Sequence, residues 1–197
     1  MKKIFLSFAI IAFIIVSSKV NAQGIGVGIK IGANFANQSI KDLGQNITDL
    51  DTKGRTGFHG GAYVVFAFSE KWAVQPEFLY STQGSEIPDF DDVLNMDYLS
   101  IPILLRWKPI KLLSIEAGPQ FSALLAAEDI DGESIKEDFK NSDFGLSVGA
   151  TLHLPLGFNV GARYTWGFTN VAELQDDFEV KNTLGQIFVG WTFLGAN

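Results

Sequence analysis

The 197-residue chain has no cysteine, so disulfides, thiolate metal sites, cysteine nucleophiles and a lipid-modified cysteine anchor are all excluded. Its formal net charge of -7 at pH 7 disfavours nucleic acid as a partner. Hydrophobic residues make up 47% of the sequence, which also contains 20 glycines and 17 phenylalanines. This composition favours crowded strands with aromatic faces over helices, within a single domain.

The first residues have the features of an export signal. Two lysines follow Met1, residues 4–16 form an apolar run, and small residues ending at Ala22 provide a cleavage site. The apolar run is too short for a membrane helix, which needs about 20 residues. We therefore predict a signal peptide at residues 1–22 and a β-barrel domain at residues 23–197.

After the signal, apolar residues alternate with small or polar residues, with the period of two that is typical of β-strands. Each alternating segment has about ten residues, the length that a tilted strand needs to cross a bilayer. The pattern predicts an all-β fold, an eight-stranded antiparallel up-and-down transmembrane β-barrel. The predicted strands are residues 25–35, 58–68, 72–84, 98–107, 112–124, 144–154, 158–168 and 184–193.

The connections between these strands alternate in length. Those at residues 69–71, 108–111 and 155–157 are tight, whereas four others are long and polar. Short turns on one side and long loops on the other are the arrangement of bacterial outer-membrane barrels. The long connections are predicted at residues 36–54, 84–97, 125–143 and 169–183, and they contain every acidic residue except Glu70, Glu77 and Glu116.

Two barrels are compatible with this strand pattern. A soluble lipocalin-like barrel would turn the apolar face inward, whereas a membrane barrel turns it towards lipid. The small face is rich in glycine, which suits a narrow eight-stranded interior, and the aromatic residues of the apolar face have too much volume for one. We therefore predict that the protein lies in the bacterial outer membrane, in contact with its lipid and lipopolysaccharide.

Aromatic residues are predicted to form two girdles at the ends of the apolar faces. Girdles separated by aliphatic residues are typical of the two interfaces of a membrane. The predicted girdle residues are Trp72, Trp107, Phe158, Trp191 and Phe193 near the short turns, and Phe35, Tyr80, Phe121, Phe144, Trp166 and Phe168 near the long connections.

Charged residues of the small face are predicted to lie in the lumen, most of them near mid-strand. Buried charges must pair to offset their desolvation, so we expect salt bridges that plug the barrel. The alternative, a narrow porin-like ion path, is disfavoured because side chains fill an eight-stranded interior. The predicted lumen charge cluster is Lys30, Glu77, Arg106, Glu116 and Arg163.

Several segments resemble the PorT-like outer-membrane β-barrel family of Bacteroidetes, and together they cover nearly all of the predicted mature chain. They are GIKIGANFA at 28–36, WAVQPEFLYSTQG at 72–84, YLSIPILLRWKP at 98–109, IEAGPQFSALL at 115–125, DFGLSVGA at 143–150 and GARYTWGFTNV at 161–171. The resemblance implies an eight-stranded barrel in the outer membrane. The founding member of the family is associated with type IX secretion and gliding.

The sequence contains no convincing catalytic, cofactor or metal site. The two histidines, His59 and His153, are predicted at opposite ends of the barrel, with His59 towards the long-loop rim and His153 near Arg163 or Gln186. No nucleophile motif accompanies His59. The acidic segment at residues 128–133 lacks the first ligand of a calcium loop, because Ala127 occupies that position.

The sequence analysis therefore favours a non-enzymatic barrel whose acidic loops act in envelope structure, adhesion or docking of an envelope protein partner. A second hypothesis is an accessory component of a type IX secretion or gliding machinery. A third is a lipid-modifying hydrolase at the rim, centred on His59. Cofactors, metal ions and nucleic acid are not expected.

Overall fold

The computed structural model describes residues 24–42, 53–87, 92–128, 142–169 and 178–195. They form eight antiparallel strands in chain order, and β8 pairs with β1 to close the barrel. The predicted fold class is confirmed, whereas the predicted signal peptide lies outside the described residues. The strands are β1 (Gly24–Asp42), β2 (Lys53–Ala67), β3 (Trp72–Ile87), β4 (Asp92–Ile110), β5 (Leu113–Glu128), β6 (Ser142–His153), β7 (Phe158–Gly167) and β8 (Phe178–Leu194).

Three short connections lie at one end of the barrel, as expected. Between β2 and β3, the Ser69 hydroxyl accepts hydrogen bonds from the backbone N–H groups of Lys71 and Trp72. The β6–β7 connection is a 3₁₀ turn at Pro155–Gly157, in which Leu156 has a φ of 63°. No helix in the described part of the chain is long and apolar enough to span a membrane.

The strands extend further from the short turns than the sequence pattern predicted. β3 continues to Ile87 and β4 begins at Asp92, so residues 84–87 and 92–97 of the predicted loop are strand. The predicted loops at 36–54, 125–143 and 169–183 are likewise partly strand. The reason is that backbone pairing continues past the point where the apolar alternation stops, since side chains outside the membrane need not be apolar.

The apolar face points outward on every strand. Large apolar side chains such as Ile31, Phe78 and Ile187 are more than half exposed, whereas polar residues on the other face are buried. A continuous apolar exterior around a polar interior is the arrangement of a barrel in lipid and not of a soluble one. The lipocalin-like alternative is therefore contradicted.

In the lumen, large ring side chains pack against strand positions that are occupied by glycine. A Cβ atom on Gly28 would collide with the Tyr63 ring, and one on Gly161 would collide with the Phe188 ring. The strands therefore accommodate three large inward side chains, those of Tyr63, Phe188 and His59, where a facing residue has no side chain. This packing is consistent with an eight-stranded barrel whose interior is filled by side chains.

Candidate functional site

The five predicted lumen charges lie together in the middle and lower part of the barrel, where lower means nearer the short turns. They come from five strands, β1, β3, β4, β5 and β7, and each is at most 7% exposed. We call them the charge cluster, and its members are Lys30, Glu77, Arg106, Glu116 and Arg163.

Glu77 is the most heavily bonded carboxylate of the charge cluster. Its Oε1 atom is 2.8 Å from Lys30 Nζ, and Arg163 donates from Nη1 to Oε2 and from Nη2 to Oε1, both at 2.9 Å. The side chain of Gln75 also donates to Oε1, at 2.6 Å. Two cations and an amide thus hold this wholly buried carboxylate, in the bidentate geometry that arginine favours.

Glu116 is held by a second, looser set of contacts. Arg163 Nη2 donates to its Oε2 atom at 3.2 Å, and the Thr151 hydroxyl donates to Oε1 at 2.9 Å. Arg106 Nε lies 3.4 Å from the same Oε1 atom, within ion-pair range. Arg163 therefore bridges the two carboxylates, and the five charges form one continuous cluster.

Arg106 occupies the lower end of the charge cluster and bonds mainly to neutral groups. It donates from Nη1 to Gln75 Oε1 at 2.7 Å, and from Nη2 to His153 Nε2 at 2.8 Å and Ser114 Oγ at 3.5 Å. Three cations share two carboxylates, so the cluster has a formal surplus of one positive charge. Of the three cations, Arg106 has the longest ion-pair distance, 3.4 Å to Glu116, against 2.8 Å for Lys30 and 2.9 Å for Arg163 to Glu77.

Strand register explains part of this arrangement. Arg106 and Glu116 are direct cross-strand partners in the β4–β5 hairpin. Lys30 and Glu77 lie on strands that flank β2, and Gly61 of β2 is paired with Lys30. Phe188 of β8 covers the ammonium group, with its ring centroid 4.0 Å from Lys30 Nζ, an attractive cation–π geometry.

A second set of polar side chains fills the lumen nearer the long connections. The side chain of Asn34 accepts from Gln186 Nε2 at 2.8 Å, donates to Ser81 Oγ at 2.9 Å, and lies 2.7 Å from His59 Nδ1. On the other wall, Ser147 Oγ is 2.9 Å from Gln120 Oε1 and 2.7 Å from Thr165 Oγ1. We call these residues the upper polar network: Asn34, His59, Ser81, Gln120, Ser147, Thr165 and Gln186.

Two small apolar clusters also lie in the lumen. Towards the long connections, Met96, Tyr98, Leu124 and Ala127 form a buried cluster. A smaller cluster contains Tyr63, Val65 and Ala73. This second cluster lies at the height of the charge cluster, because Tyr63 is paired with Glu77 and Ala73 with Arg106.

His59 lies in the lumen and not at the rim. It is 1% exposed, and its ring contacts Asn34 and Phe188. The expected rim position is wrong because β2 begins at Lys53, so His59 lies well inside the barrel. A buried imidazole bonded to an amide does not match the base of an acyl-transfer site at the rim.

The partners of His153 also differ from the prediction. Its Nε2 atom lies 2.8 Å from Arg106 Nη2 and 3.0 Å from Ser114 Oγ, so its neighbours are on β4 and β5 and are not Arg163 or Gln186. Since arginine only donates, Nε2 accepts from Arg106 and its lone pair is already engaged. Ser114 is also wholly buried, so this serine–histidine contact is unsuited to nucleophilic catalysis.

The structure shows no metal-binding group within the described residues, where no three histidine, aspartate or glutamate side chains come together. The acidic segment at 128–133 lies outside the described side chains.

No curated protein matches the chain.

The predicted girdle residues point outward. Trp72 stacks on Trp107, with ring centroids 6.2 Å apart, and Phe158 stacks on Trp191 at 6.1 Å, both near the short turns. Near the long connections, Phe144 contacts both Phe121 and Phe168. The sequence analysis omitted Phe58, Phe66 and Phe68, which are also on the outer surface.

Sequence reasoning missed the neutral members around the charge cluster. They are Gln75, Ser114, Thr151 and His153, which bond to Glu77, Glu116 or Arg106. Face parity alone would have identified Gln75 and Ser114, because each lies two residues before a carboxylate of the charge cluster on the same strand. Thr151 and His153 come from β6, and their proximity to the charges depends on strand register.

The chain matches the family model described as the outer membrane protein beta-barrel domain over residues 21–173. Among solved structures, it is similar to Neisserial surface protein A, with 10% identity, a TM-score of 0.56, and coverage of 85% of this chain and 97% of that one. Weaker similarities are to the attachment invasion locus protein Ail of Yersinia pestis (21% identity, TM-score 0.47, coverage 86% and 98%) and to OprG from Pseudomonas aeruginosa (12%, 0.48, 87% and 96%).

The match to the family model agrees with the closed eight-stranded barrel, its apolar exterior and its polar lumen. The family match extends over most of the chain, and the likeness to Neisserial surface protein A supports the same fold. The chain therefore belongs to the outer membrane protein beta-barrel domain family and is an outer-membrane β-barrel protein.

Proposed function

We propose that the protein is a non-enzymatic outer-membrane barrel with a plugged lumen, whose long acidic connections act in envelope structure, adhesion or docking. The observation that carries the first part is the charge cluster, which joins five strands through buried ion pairs. Side chains of opposite walls meet there, and a narrow eight-stranded barrel leaves little room beside them.

The energetics of the charge cluster support a permanent plug. Opening a path would separate buried ion pairs and leave charges in the lumen without their partners, which is unfavourable. The buried cluster of Met96, Tyr98 and Leu124, which lies nearer the long connections, would also resist the passage of hydrated ions. A lumen of this kind transmits no solute, and the activity of the protein is then carried by its outer surface and its connections.

Planar-bilayer recording tests the plugged lumen. We expect the refolded mature protein to insert without producing discrete channel currents. A heat-dependent shift in gel mobility of the same sample provides the control that the barrel is folded, since a closed barrel migrates differently before and after boiling. Stable, uniform channel currents from the folded protein would contradict the proposal.

The proposed role of the acidic connections concerns the outer surface of the membrane. Their carboxylates would share divalent cations with lipopolysaccharide phosphates, since Ca²⁺ and Mg²⁺ both prefer oxygen ligands. Binding of the folded barrel to lipopolysaccharide vesicles, measured with and without a chelator, tests this role. We expect chelation to weaken the binding, and chelator-independent binding would contradict the shared-cation mechanism.

A second candidate is an accessory role in a type IX secretion or gliding machinery. It is supported by the segments that resemble the PorT-like family of Bacteroidetes, such as YLSIPILLRWKP at residues 98–109. In this role the short turns would contact periplasmic partners. Cross-linking through the exposed Lys111, followed by identification of captured proteins, tests it. Capture of secretion components supports this role, and capture of none of them contradicts it.

A further inference from the structure

A cavity lies inside the mouth of the barrel at the short-turn end. Its volume is about 120 Å³, and its lining includes residues of the β2–β3 turn together with the lower ends of β4, β6 and β8. The ionisable or hydroxyl-bearing lining residues are Ser69, Glu70, Lys71, Arg106, Lys108, His153 and Thr192.

The charges around this cavity are mostly positive. Lys71, Arg106 and Lys108 face a single lining carboxylate, that of Glu70. In the part of the chain that the structure describes, the ion pairs involve Lys30, Arg106 and Arg163, and neither Lys71 nor Lys108 takes part. Among the described residues, the two lysine charges therefore have no ion-pair partner.

Arg106 connects this cavity to the charge cluster. It is 7% exposed, lines the cavity, and has the longest ion-pair distance of the three cations in the charge cluster. Its Nε atom has no hydrogen-bond partner in the described part of the chain, although it lies 3.4 Å from Glu116 Oε1. A buried cation that is incompletely balanced favours an anion nearby, because unpaired charge in a low-dielectric interior is costly.

We propose that this cavity binds a phosphate group, either as free inorganic phosphate or as the headgroup of a phospholipid in the inner leaflet. Lysine and arginine side chains supply several N–H donors and positive charge, the combination that recognises phosphate oxygens. A water molecule needs about 10–15 Å³ of such space, so the cavity holds several waters or one phosphate group with its hydration. Acyl chains would have to remain outside the barrel.

NMR titration of the full mature barrel tests this site. The protein is placed in maltoside micelles, which contain no phosphate, and is titrated with sodium phosphate or, in a separate arm, with short-chain phosphatidylglycerol. Sodium chloride at matched ionic strength controls for general screening. We expect saturable amide shifts at residues 69–73, 106–108 and 153, which line or adjoin the cavity, and none with chloride.

A matched pair of variants separates a specific site from a generally basic surface. Lys108→Gln and Lys111→Gln each remove one lysine charge from the same end of the barrel, but Lys111 is exposed and does not line the cavity. We expect Lys108→Gln to weaken phosphate affinity about fivefold or more, because the lost charge faced the anion at close range. Lys111→Gln should leave the affinity within about twofold of the wild type, since exposed charges are screened.

Each outcome has one interpretation. Saturable shifts with inorganic phosphate alone identify a free anion as the ligand, shifts with phosphatidylglycerol alone identify a lipid headgroup, and shifts with both show that the phosphate group is sufficient. Absence of saturable local shifts in both arms overturns the proposal. Equal effects of Lys108→Gln and Lys111→Gln also overturn it. Conductance plays no part in the readout, so the result is independent of the plugged lumen.

Discussion

The charge cluster and the upper polar network fill neighbouring parts of one lumen by different chemistry. In the charge cluster, two carboxylates pair with three cations, and one of the carboxylates, Glu77, pairs with both Lys30 and Arg163. In the upper polar network, amides and hydroxyls bond in small groups, as Asn34 does with Gln186 and Ser81. The same inward face of the barrel therefore contains a region of concentrated charge and a region of distributed hydrogen bonds.

This difference has an energetic consequence. Removing one carboxylate leaves buried cations without a counter-charge, whereas removing one amide leaves neutral polar atoms without a partner. We therefore expect the barrel to tolerate substitutions in the upper polar network better than substitutions of similar size in the charge cluster. The following predictions test that ranking.

The largest loss of stability is expected for Glu77→Gln. The amide keeps the volume of the carboxylate but removes the charge that holds Lys30 and Arg163, so Glu116 alone would face three cations. Removing one member of a buried ion pair costs about 3–5 kcal/mol. Urea unfolding of the variant in lipid vesicles, followed by tryptophan fluorescence, measures the change in unfolding free energy.

A double-mutant cycle provides the control for this prediction. Lys30→Met removes one of the stranded cations and keeps an apolar chain of similar length. The pair Lys30→Met with Glu77→Gln should therefore be less destabilised than the sum of the single variants, with a coupling of about 0.5–3 kcal/mol. Simple additivity would show that Lys30 and Glu77 do not interact in the folded barrel.

An intermediate effect is expected for Asn34→Ala in the upper polar network. The substitution removes the bonds with Gln186, Ser81 and His59 and leaves neutral groups unsatisfied. An unsatisfied buried polar group costs about 1–3 kcal/mol. The same urea experiment measures it, and a loss equal to that of Glu77→Gln would contradict the ranking.

The smallest effect of the three is expected for Ser147→Ala. The serine hydroxyl bonds to Gln120 and Thr165, and these two residues also lie 3.4 Å apart through Thr165 Oγ1 and Gln120 Oε1. Because that contact remains, the loss should be about 1 kcal/mol or less. If Ser147→Ala unfolded at a lower urea midpoint than Asn34→Ala, the hydrogen bonds of Ser147 would contribute more to stability than those of Asn34, and the ranking would be contradicted.

Part of this lumen could be predicted from local sequence. The tight β4–β5 connection brings Arg106 opposite Glu116, because antiparallel strands joined by a short turn pair residues at similar distances from it. The meeting of Arg163 with Glu77 could not be predicted in this way, since these residues are on strands that are not neighbours in the sheet. Only closure of the barrel brings their side chains together.

The error over His59 has a similar origin. Its face was predictable from alternation, but its height in the barrel depended on where β2 begins. The apolar pattern starts near Phe58, whereas the strand starts at Lys53, because backbone pairing does not require apolar side chains. The lengths of the long connections were overestimated for the same reason.

The sequence by itself determined which side chains face lipid and which face the lumen, because side-chain direction alternates with period two and the two environments demand opposite polarity. It likewise determined the number of strands and the ends that have short turns. The tertiary structure alone decided which lumen residues bond to one another and where a cavity remains. Those contacts depend on register and closure, which set the relative heights of residues that are distant in sequence.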